Sequence, residues 1–228
     1  MNYLISPSLM CIDMMKIPEQ LGFLNKNADI LHVDIMDGHY VKNLALSVDF
    51  VRQIRPFTSL QIDVHLMVQH PMDFIDDLIK AGADSFSVHA EVINSYAFRL
   101  INHIHSAGKK VGIVLNPATP VETLRPYAHL IEKVTVMTVD PGYAGQPFIP
   151  EMVEKIEHLS RFRTAGGHDF LIEADGSCNR NTYPLLLNAG AQVLIMGSSG
   201  LFKKDLPLSQ TWQTMVSDII ETLNAENA

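Results

Sequence analysis

The sequence predicts an α/β fold, a (β/α)8 TIM barrel that forms one domain over residues 1–228. The length supports it, because eight strand-helix units typically need about 200 to 250 residues. Short apolar runs also alternate with longer helix-like segments throughout the chain, which favours parallel strands joined by helical crossovers. An eight-stranded doubly wound sheet is the alternative, because alternation alone does not reveal whether the sheet closes.

Eight segments have the composition of strands, and their order follows the chain. Several are apolar on both faces, such as residues 111–115, as expected when helices cover one face and barrel packing the other. Before the fourth and eighth strands, Gly82 and Gly190 can adopt the left-handed conformation that ends a helix. The predicted strands are residues 4–8, 30–34, 60–66, 85–89, 110–115, 133–139, 170–175 and 192–196.

Composition excludes several classes of function. Hydrophobic residues make up 47% of the chain and charged residues 18%, which predicts a folded globule. The formal net charge is −8 and no run is rich in Lys or Arg, so we expect no nucleic-acid partner. Two cysteines are too few for a disulfide framework, and no leader or membrane-spanning pattern is present. We therefore expect a cytoplasmic protein with no membrane partner.

Polar side chains collect at the predicted strand ends, where barrel enzymes keep their sites. His32 and Asp34 lie two apart on the second strand and share a face. The third strand contributes His65 and the seventh Asp175. Two imidazoles and two carboxylates suit Zn, Mn, Co or Fe, whereas Mg or Ca would prefer more oxygen. The alternative is that each histidine is a hydrogen-bonded core residue and each aspartate a helix N-cap.

Further polar residues flank this set. Asp63 and Glu173 lie one layer deeper, where they could orient the imidazoles or form buried polar pairs. His89 and Glu91 follow the fourth strand and could be ligands, residues behind the ligands or loop residues. Asp37 is better explained as the cap of the turn after the second strand.

Small residues follow the last three strands and predict a phosphate site, because such turns let backbone N–H groups approach an anion. Ordinary Gly and Ser turns are the alternative. A phosphorylated ligand is therefore expected. The residues of these turns that we assign to the site are Gly142, Tyr143, Ala144, Gly145, Gly176, Ser177, Gly197, Ser198 and Ser199.

Four further residues stand where they could line the same site. The Ser8 hydroxyl, at the end of the first strand, could reach the substrate or belong to a turn. Met36, Met67 and Met137 lie at strand ends, where thioethers could line the site without competing for protons. Methionine also fills gaps in cores, which is the alternative.

Four motifs in combination resemble the ribulose-phosphate 3-epimerase family, over residues 5–202. They are His-Val-Asp-Ile-Met-Asp-Gly-His at 32–39, Asp-Val-His-Leu-Met-Val at 63–68, Val-Asp-Pro-Gly-Tyr-Ala-Gly-Gln-Pro-Phe at 139–148 and Ala-Asp-Gly at 174–176. The resemblance implies a closed barrel, a homo-oligomer and one divalent metal ion per subunit. It implies His32, Asp34, His65 and Asp175 as metal ligands.

The same resemblance implies roles around the substrate. Asp34 and Asp175 would transfer the protons. Phosphate contacts would come from Gly176-Ser177 and Gly197-Ser198, with residues 142–145 folding over the substrate.

The chain departs from the pentose-phosphate pattern near the expected phosphate. Asn-Pro-Gly-Phe-Gly-Gly-Gln is here Asp-Pro-Gly-Tyr-Ala-Gly-Gln at 140–146, and Ser177 and Ser199 replace a Gly and an Ala. Lys42 replaces the Pro of Phe-Val-Pro-Asn. These variants are similar to the allulose-6-phosphate 3-epimerase branch. They imply conversion of D-allulose 6-phosphate to D-fructose 6-phosphate by two-base proton transfer through an enediolate.

Three alternatives stay open at this stage. D-ribulose 5-phosphate as substrate would keep the chemistry and change only the specificity. A decarboxylase or aldolase of the related phosphate-binding barrels would commonly show Asp-x-Lys-x-x-Asp on the third strand, whereas residues 63–68 contain no lysine. A barrel that only binds a sugar phosphate is the non-enzymatic alternative.

Overall fold

The computed structural model describes residues 3–225, and eight parallel strands form its centre. Every predicted strand is present, with ends shifted by at most two residues. The predicted α/β barrel is therefore confirmed. The strands are β1 (Leu4–Pro7), β2 (Ile30–Met36), β3 (Gln61–Met67), β4 (Ser85–His89), β5 (Lys110–Leu115), β6 (Lys133–Met137), β7 (Leu171–Asp175) and β8 (Val193–Met196).

Closure of the sheet separates the barrel from a doubly wound sheet. The hydrogen-bonded order runs β1-β8-β7-β6-β5-β4-β3-β2, so β1 and β2 are the two ends. These ends meet through a parallel bridge between Ser8 and His32. The backbone N–H of Asp29 also donates to the carbonyl of Ile5 at 3.1 Å. The two edges of the sheet therefore face each other, and the strands surround a common interior.

Helices cover the outside of the strands. Gly82 and Gly190 follow two of them with φ of 101° and 109°, so the predicted left-handed helix ends are confirmed. Two 3₁₀ turns, Val121–Leu124 and Ala128–Leu130, replace a helix between β5 and β6. The helices are α1 (Ile17–Asn27), α2 (Val48–Ile54), α3 (Met72–Ala81), α4 (Ala90–Ile93), α5 (Ala97–Ser106), α6 (Met152–Gly166), α7 (Tyr183–Ala189) and α8 (Leu208–Ala225).

Strand alternation separates an apolar layer from a polar interior. In β2, Leu31, Val33 and Ile35 belong to the main hydrophobic core, whereas His32 and Asp34 are buried on the other face. The strands thus direct polar side chains to the inside of the barrel. Within residues 3–225, no helix combines the length and apolar character needed to cross a membrane.

Candidate metal centre and active site

The four predicted ligands converge at the carboxyl ends of β2, β3 and β7. One oxygen of Asp34 lies 3.3 Å from both His32 Nε2 and His65 Nδ1. One oxygen of Asp175 lies 3.9 Å from His32 Nε2 and 3.5 Å from His65 Nδ1. The four candidate ligand atoms all lie within 4.8 Å of one another. We call these four residues the open cluster.

Two buried nitrogen atoms in the open cluster show that a cation would fit it. Within the described part of the chain, His32 Nε2 and His65 Nδ1 have no hydrogen-bond partner. Buried polar atoms are nearly always hydrogen-bonded, so atoms without a partner need an explanation. Two imidazole lone pairs and two carboxylate oxygens aimed at one point are a donor set that first-row divalent ions accept.

Electrostatics keep Asp34 ionised. Burial alone would raise the pKa of its carboxyl, but the neighbouring His32 and His65 outweigh burial and lower that pKa far below its usual range. The Ser8 hydroxyl donates a hydrogen bond to the second oxygen of Asp34 at 2.7 Å. Asp34 is therefore an oriented carboxylate, the form that binds a cation or accepts a proton.

Behind His32, Asp63 occupies the position of an orienting partner. An oxygen of Asp63 lies 3.2 Å from His32 Nδ1, on the opposite side of the ring from the open cluster. Both groups are buried. A proton on Nδ1 directed at this carboxylate leaves the Nε2 lone pair free for a metal.

Behind His65, a second chain of contacts runs outward. His65 Nε2 lies 2.8 Å from His89 Nε2, so one proton is shared between the two rings. Burial lowers the pKa of His89 to about 4, which keeps this ring neutral near pH 7. Its Nδ1 lies 3.5 Å from Glu91, whose other oxygen accepts the N–H of Asn116 at 3.1 Å. His89 and Glu91 thus lie behind His65 rather than among the four converging groups.

A cavity lies above the open cluster, and its empty volume, part of it open to solvent, is about 530 Å³. His32 and His65 lie fully buried beneath it. The structure brings together every other predicted site residue on its walls. They are Ser8, Asp34, Met36, Met67, Met137, Gly142, Tyr143, Ala144, Gly145, Asp175, Gly176, Ser177, Gly197, Ser198 and Ser199.

The turn after β7 has an unusual backbone. Gly176 has φ of 118°, and a Cβ placed there would lie 2.6 Å from a methyl group of Val139. Ser177 follows with φ of 51°, a left-handed conformation that non-glycine residues seldom adopt. Strained residues of this kind cluster at functional sites. The turn is therefore held in one shape at the wall of the cavity.

Two loops meet at the mouth of the cavity. Asn43 Nδ2 donates to the Gly142 carbonyl at 2.7 Å, and the Tyr143 hydroxyl donates to the Lys42 carbonyl at 2.6 Å. The Lys42 ammonium donates to the Gly38 carbonyl of its own loop, at 3.5 Å. The loop after β6 is thus joined to the loop after β2.

Comparison with known proteins identifies the family. The model of the Ribulose-phosphate 3 epimerase family matches residues 4–202. The chain is 40% identical over 197 residues to ribulose-phosphate 3-epimerase of Bacillus subtilis (strain 168), covering 86% of this chain and 90% of that protein. It is 40% identical over 199 residues to the Treponema pallidum (strain Nichols) protein of the same name, covering 87% and 91%. This chain belongs to the ribulose-phosphate 3-epimerase family. It is therefore an isomerase, a sugar-phosphate 3-epimerase.

Solved structures agree with the fold of this epimerase. A mutant tryptophan synthase alpha-subunit from Pyrococcus furiosus superimposes with a TM-score of 0.70 at 15% identity, covering 96% of this chain and 98% of that one. A 3-hexulose-6-phosphate synthase gives 0.67 at 15% identity, covering 95% and 99%. At this identity the likeness concerns the barrel alone.

Sequence reasoning missed one buried charged residue of the epimerase. Lys133 begins β6 and contacts both Asp63 and Glu173. The signal was available, because period-two alternation places Lys133 on the same face as Met137, which was assigned to the site. The proposed turn-capping role of Asp37 agrees with its hydrogen bonds, since its carboxylate accepts three backbone N–H groups, those of His39, Tyr40 and Gln69.

Proposed function

We propose that this epimerase inverts C3 of a phosphorylated ketose, with Asp34 and Asp175 as its two proton-transfer groups. One observation carries the proposal. The two carboxylates come from β2 and β7, which are not neighbours in the sheet, yet both approach the same two imidazole nitrogens and both line the cavity. Epimerisation needs one acid-base group on each face of a carbon, and this arrangement can supply two.

Proton movement follows from that placement. One carboxylate removes the C3 proton, which leaves an enediolate, and the other returns a proton to the opposite face. The two roles exchange when the reaction runs backwards. Ser8 holds Asp34 in place through the hydrogen bond to its second oxygen. A divalent ion bound by His32, Asp34, His65 and Asp175, either Zn, Mn, Co or Fe, would supply Lewis-acid stabilisation of the negative charge.

The walls of the cavity fit the remaining requirements. Met36, Met67 and Met137 present apolar surface beside the carboxylates, which limits access of water to the reacting carbon. The turns at Gly176-Ser177 and at residues 197–199 line another part of the cavity, where we place the phosphate.

D-ribulose 5-phosphate is the substrate that the comparisons favour. The matching relatives at 36–40% identity from Bacillus subtilis, Treponema pallidum and Aquifex aeolicus are all named ribulose-phosphate 3-epimerase. Each is matched over about nine-tenths of its own length. We therefore rank the pentulose phosphate ahead of the hexulose phosphate that the loop variants suggested.

A second candidate rests on the cavity walls. Asp140, Tyr143, Ala144, Ser177 and Ser199, which depart from the pentose-phosphate pattern, all line the cavity. Substitutions clustered where the phosphate would lie could adapt the site to a chain one carbon longer. This observation favours D-allulose 6-phosphate, with D-fructose 6-phosphate as product.

Steady-state kinetics decide between the substrates. The measurement is kcat/KM for D-ribulose 5-phosphate and for D-allulose 6-phosphate on the same metal-loaded preparation. A preference of tenfold or more for the pentulose, about 1.4 kcal/mol in transition-state binding, is expected. A preference of that size for the hexulose would select the second candidate.

Isotope exchange tests the chemistry itself. Substrate incubated with the enzyme in D₂O should gain deuterium at C3, because proton removal precedes inversion. A barrel that only binds the sugar phosphate would leave C3 unlabelled. The family resemblance also leads us to propose a cytoplasmic homo-oligomer, which sedimentation velocity and cell fractionation test.

A further inference from the structure

We propose that Lys133 is a positioning residue, which holds Asp63 against His32 and so prepares His32 to bind the metal ion. The inference rests on the proposed metal centre. We call Asp63, Lys133 and Glu173 the closed cluster.

Lys133 is a buried cation with two anionic partners. Its ammonium lies 2.6 Å from an oxygen of Asp63 and 2.8 Å from an oxygen of Glu173. The residue is only 7% exposed, and Glu173 and Asp63 are at most 1% exposed. A buried ammonium is costly unless paired, so these contacts fix where the lysine side chain can lie.

The lysine completes the hydrogen bonding of Asp63. The oxygen that accepts from Lys133 is the one that faces His32 Nδ1, at 3.2 Å. The other oxygen accepts from the hydroxyl of Ser85 at 2.6 Å, and the Ser87 hydroxyl lies 3.1 Å from both oxygens. Four donors around one carboxylate leave it little freedom to rotate. Without Lys133, the oxygen that orients His32 loses its strongest partner.

The strand next to β6 provides the space for this lysine. Gly112 lies opposite Lys133 in the register of β5 and β6. A Cβ at Gly112 would lie 3.0 Å from Lys133 Cε and 2.8 Å from Ser87 Oγ. Any larger residue would displace the lysine or the serine that bonds Asp63.

The lysine also accounts for a second group of potential metal ligands. His32, Asp63 and Glu173 have ligand atoms close enough to hold a cation of their own. The Lys133 ammonium contacts both carboxylates of that group, so the chain itself provides the positive charge there. His32 is then left to direct its other nitrogen at the open cluster.

The test measures metal affinity directly. Full-length protein is stripped of metal, and the Kd for Zn²⁺ is measured by competition with a chromogenic chelator. Lys133→Met, which keeps the length of the side chain and removes its charge, should weaken Zn²⁺ binding about 10- to 100-fold. The metal-saturated variant should regain most of its kcat.

A matched variant separates positioning from stability. Arg55 is paired with Asp84 at 2.8 Å and donates to the carbonyl of Leu60, before β3 and β4 and therefore at the end of the barrel opposite the cavity. Arg55→Met should lower the melting temperature and leave the Zn²⁺ Kd unchanged. If Lys133→Met lowers the melting temperature and also leaves the Kd unchanged, Lys133 is only structural and the proposal is wrong.

A double variant covers the case in which the single one does not fold. Lys133→Met combined with Glu173→Gln removes one positive and one negative charge, so stability should recover while the weak Zn²⁺ binding persists. Recovery of the wild-type Kd would show that Lys133 only balances Glu173, which overturns the proposal. If the unaltered protein binds no Zn²⁺, the metal centre and this role both fail. If the unaltered protein, Lys133→Met and the double variant all bind Zn²⁺ equally well, the metal centre stands and only the role of Lys133 is refuted.

Discussion

The open and closed clusters lie inside the same barrel, and two strands, β3 and β7, each contribute one residue to both. Asp63 and His65 are on β3, and Glu173 and Asp175 are on β7. In the closed cluster, Lys133 bonds both acids. In the open cluster, two imidazole nitrogens have no partner among the described residues.

This difference shows that residue type and strand position do not by themselves assign a function. Carboxylates of both clusters point into the barrel, because alternation along the strand gives them the same face. The closed cluster has its cation in the chain and is sealed from solvent. The open cluster lies beneath a cavity and needs a cation from outside. Changes in the closed cluster should therefore affect stability first, and changes in the open cluster should affect chemistry first.

The largest effect on activity is expected from a substitution in the open cluster. Asp175→Asn should lower kcat about 10²- to 10⁴-fold, because the amide cannot accept the proton of the substrate. The fold should persist, since this side chain is at the cavity edge and 16% exposed. Epimerisation rates and circular dichroism measure the two effects. Asp140→Asn, which removes a charge from the same cavity wall, is the control and should keep most activity. Activity near wild type in Asp175→Asn would remove that residue from its proposed role.

The second largest effect is expected on stability, from the presence or absence of a metal ion in the open cluster. A cation that binds only the folded state stabilises it by about 4 kcal/mol at a free concentration of 1,000 times its Kd. Zn²⁺ added to metal-free protein should therefore raise the unfolding free energy measured in urea. His65→Ala should abolish this increase, because one of the two free nitrogens is lost. An equal increase in that variant would place the metal elsewhere.

A change beside the closed cluster should affect stability without affecting chemistry. The Thr135 hydroxyl donates to Glu173 at 2.7 Å. Thr135→Val keeps the shape of the side chain and should cost about 1.5 to 3 kcal/mol of unfolding free energy, the typical value for a hydrogen bond to a charged group. The Zn²⁺ Kd and kcat should not change, since the Thr135 hydroxyl bonds Glu173, which is not one of the four proposed ligands. A fall in kcat without a fall in stability would contradict the expectation that changes around the closed cluster affect stability first.

The smallest effect concerns the residues behind His65. Burial alone would raise the pKa of the Glu91 carboxyl, but the nearby His89 imidazole and a hydrogen bond from Thr119 outweigh burial and lower that pKa from 4.5 to about 2. Around Glu91 the folded state thus binds fewer protons than the unfolded state. The contribution of the ionised Glu91 to the free energy of unfolding is therefore present above pH 4.5 and is lost as pH falls towards 2.

Acid unfolding of metal-free protein measures this contribution. The Glu91→Gln variant should lose about 1 kcal/mol less than the unaltered protein between pH 4.5 and 2, after allowance for solvent screening. Asp77→Asn, at an exposed surface pair, is the control and should follow the unaltered protein. Parallel curves for Glu91→Gln and the unaltered protein would show that Glu91 is not stabilised in the folded state.

The sequence was sufficient for most of the fold because its signals are local. Apolar runs located all eight strands, and glycines located the ends of two helices. Strand-end position also selected the four residues of the open cluster. Lys133 was missed because a lysine at the start of a strand usually reaches solvent. Only its neighbours Asp63 and Glu173, distant in sequence, make burial of its charge acceptable.

The sequence by itself determined which residues lie on strands and which faces they share, since these properties follow from backbone periodicity over a few residues. Tertiary structure decided that β1 meets β2, that Lys133 lies between two acids, and that His89 lies behind His65. Those contacts depend on closure and stagger of the barrel, which bring together residues far apart in the chain, such as Asp63 and Glu173, 110 positions apart, around one ammonium. No local pattern encodes such a distance.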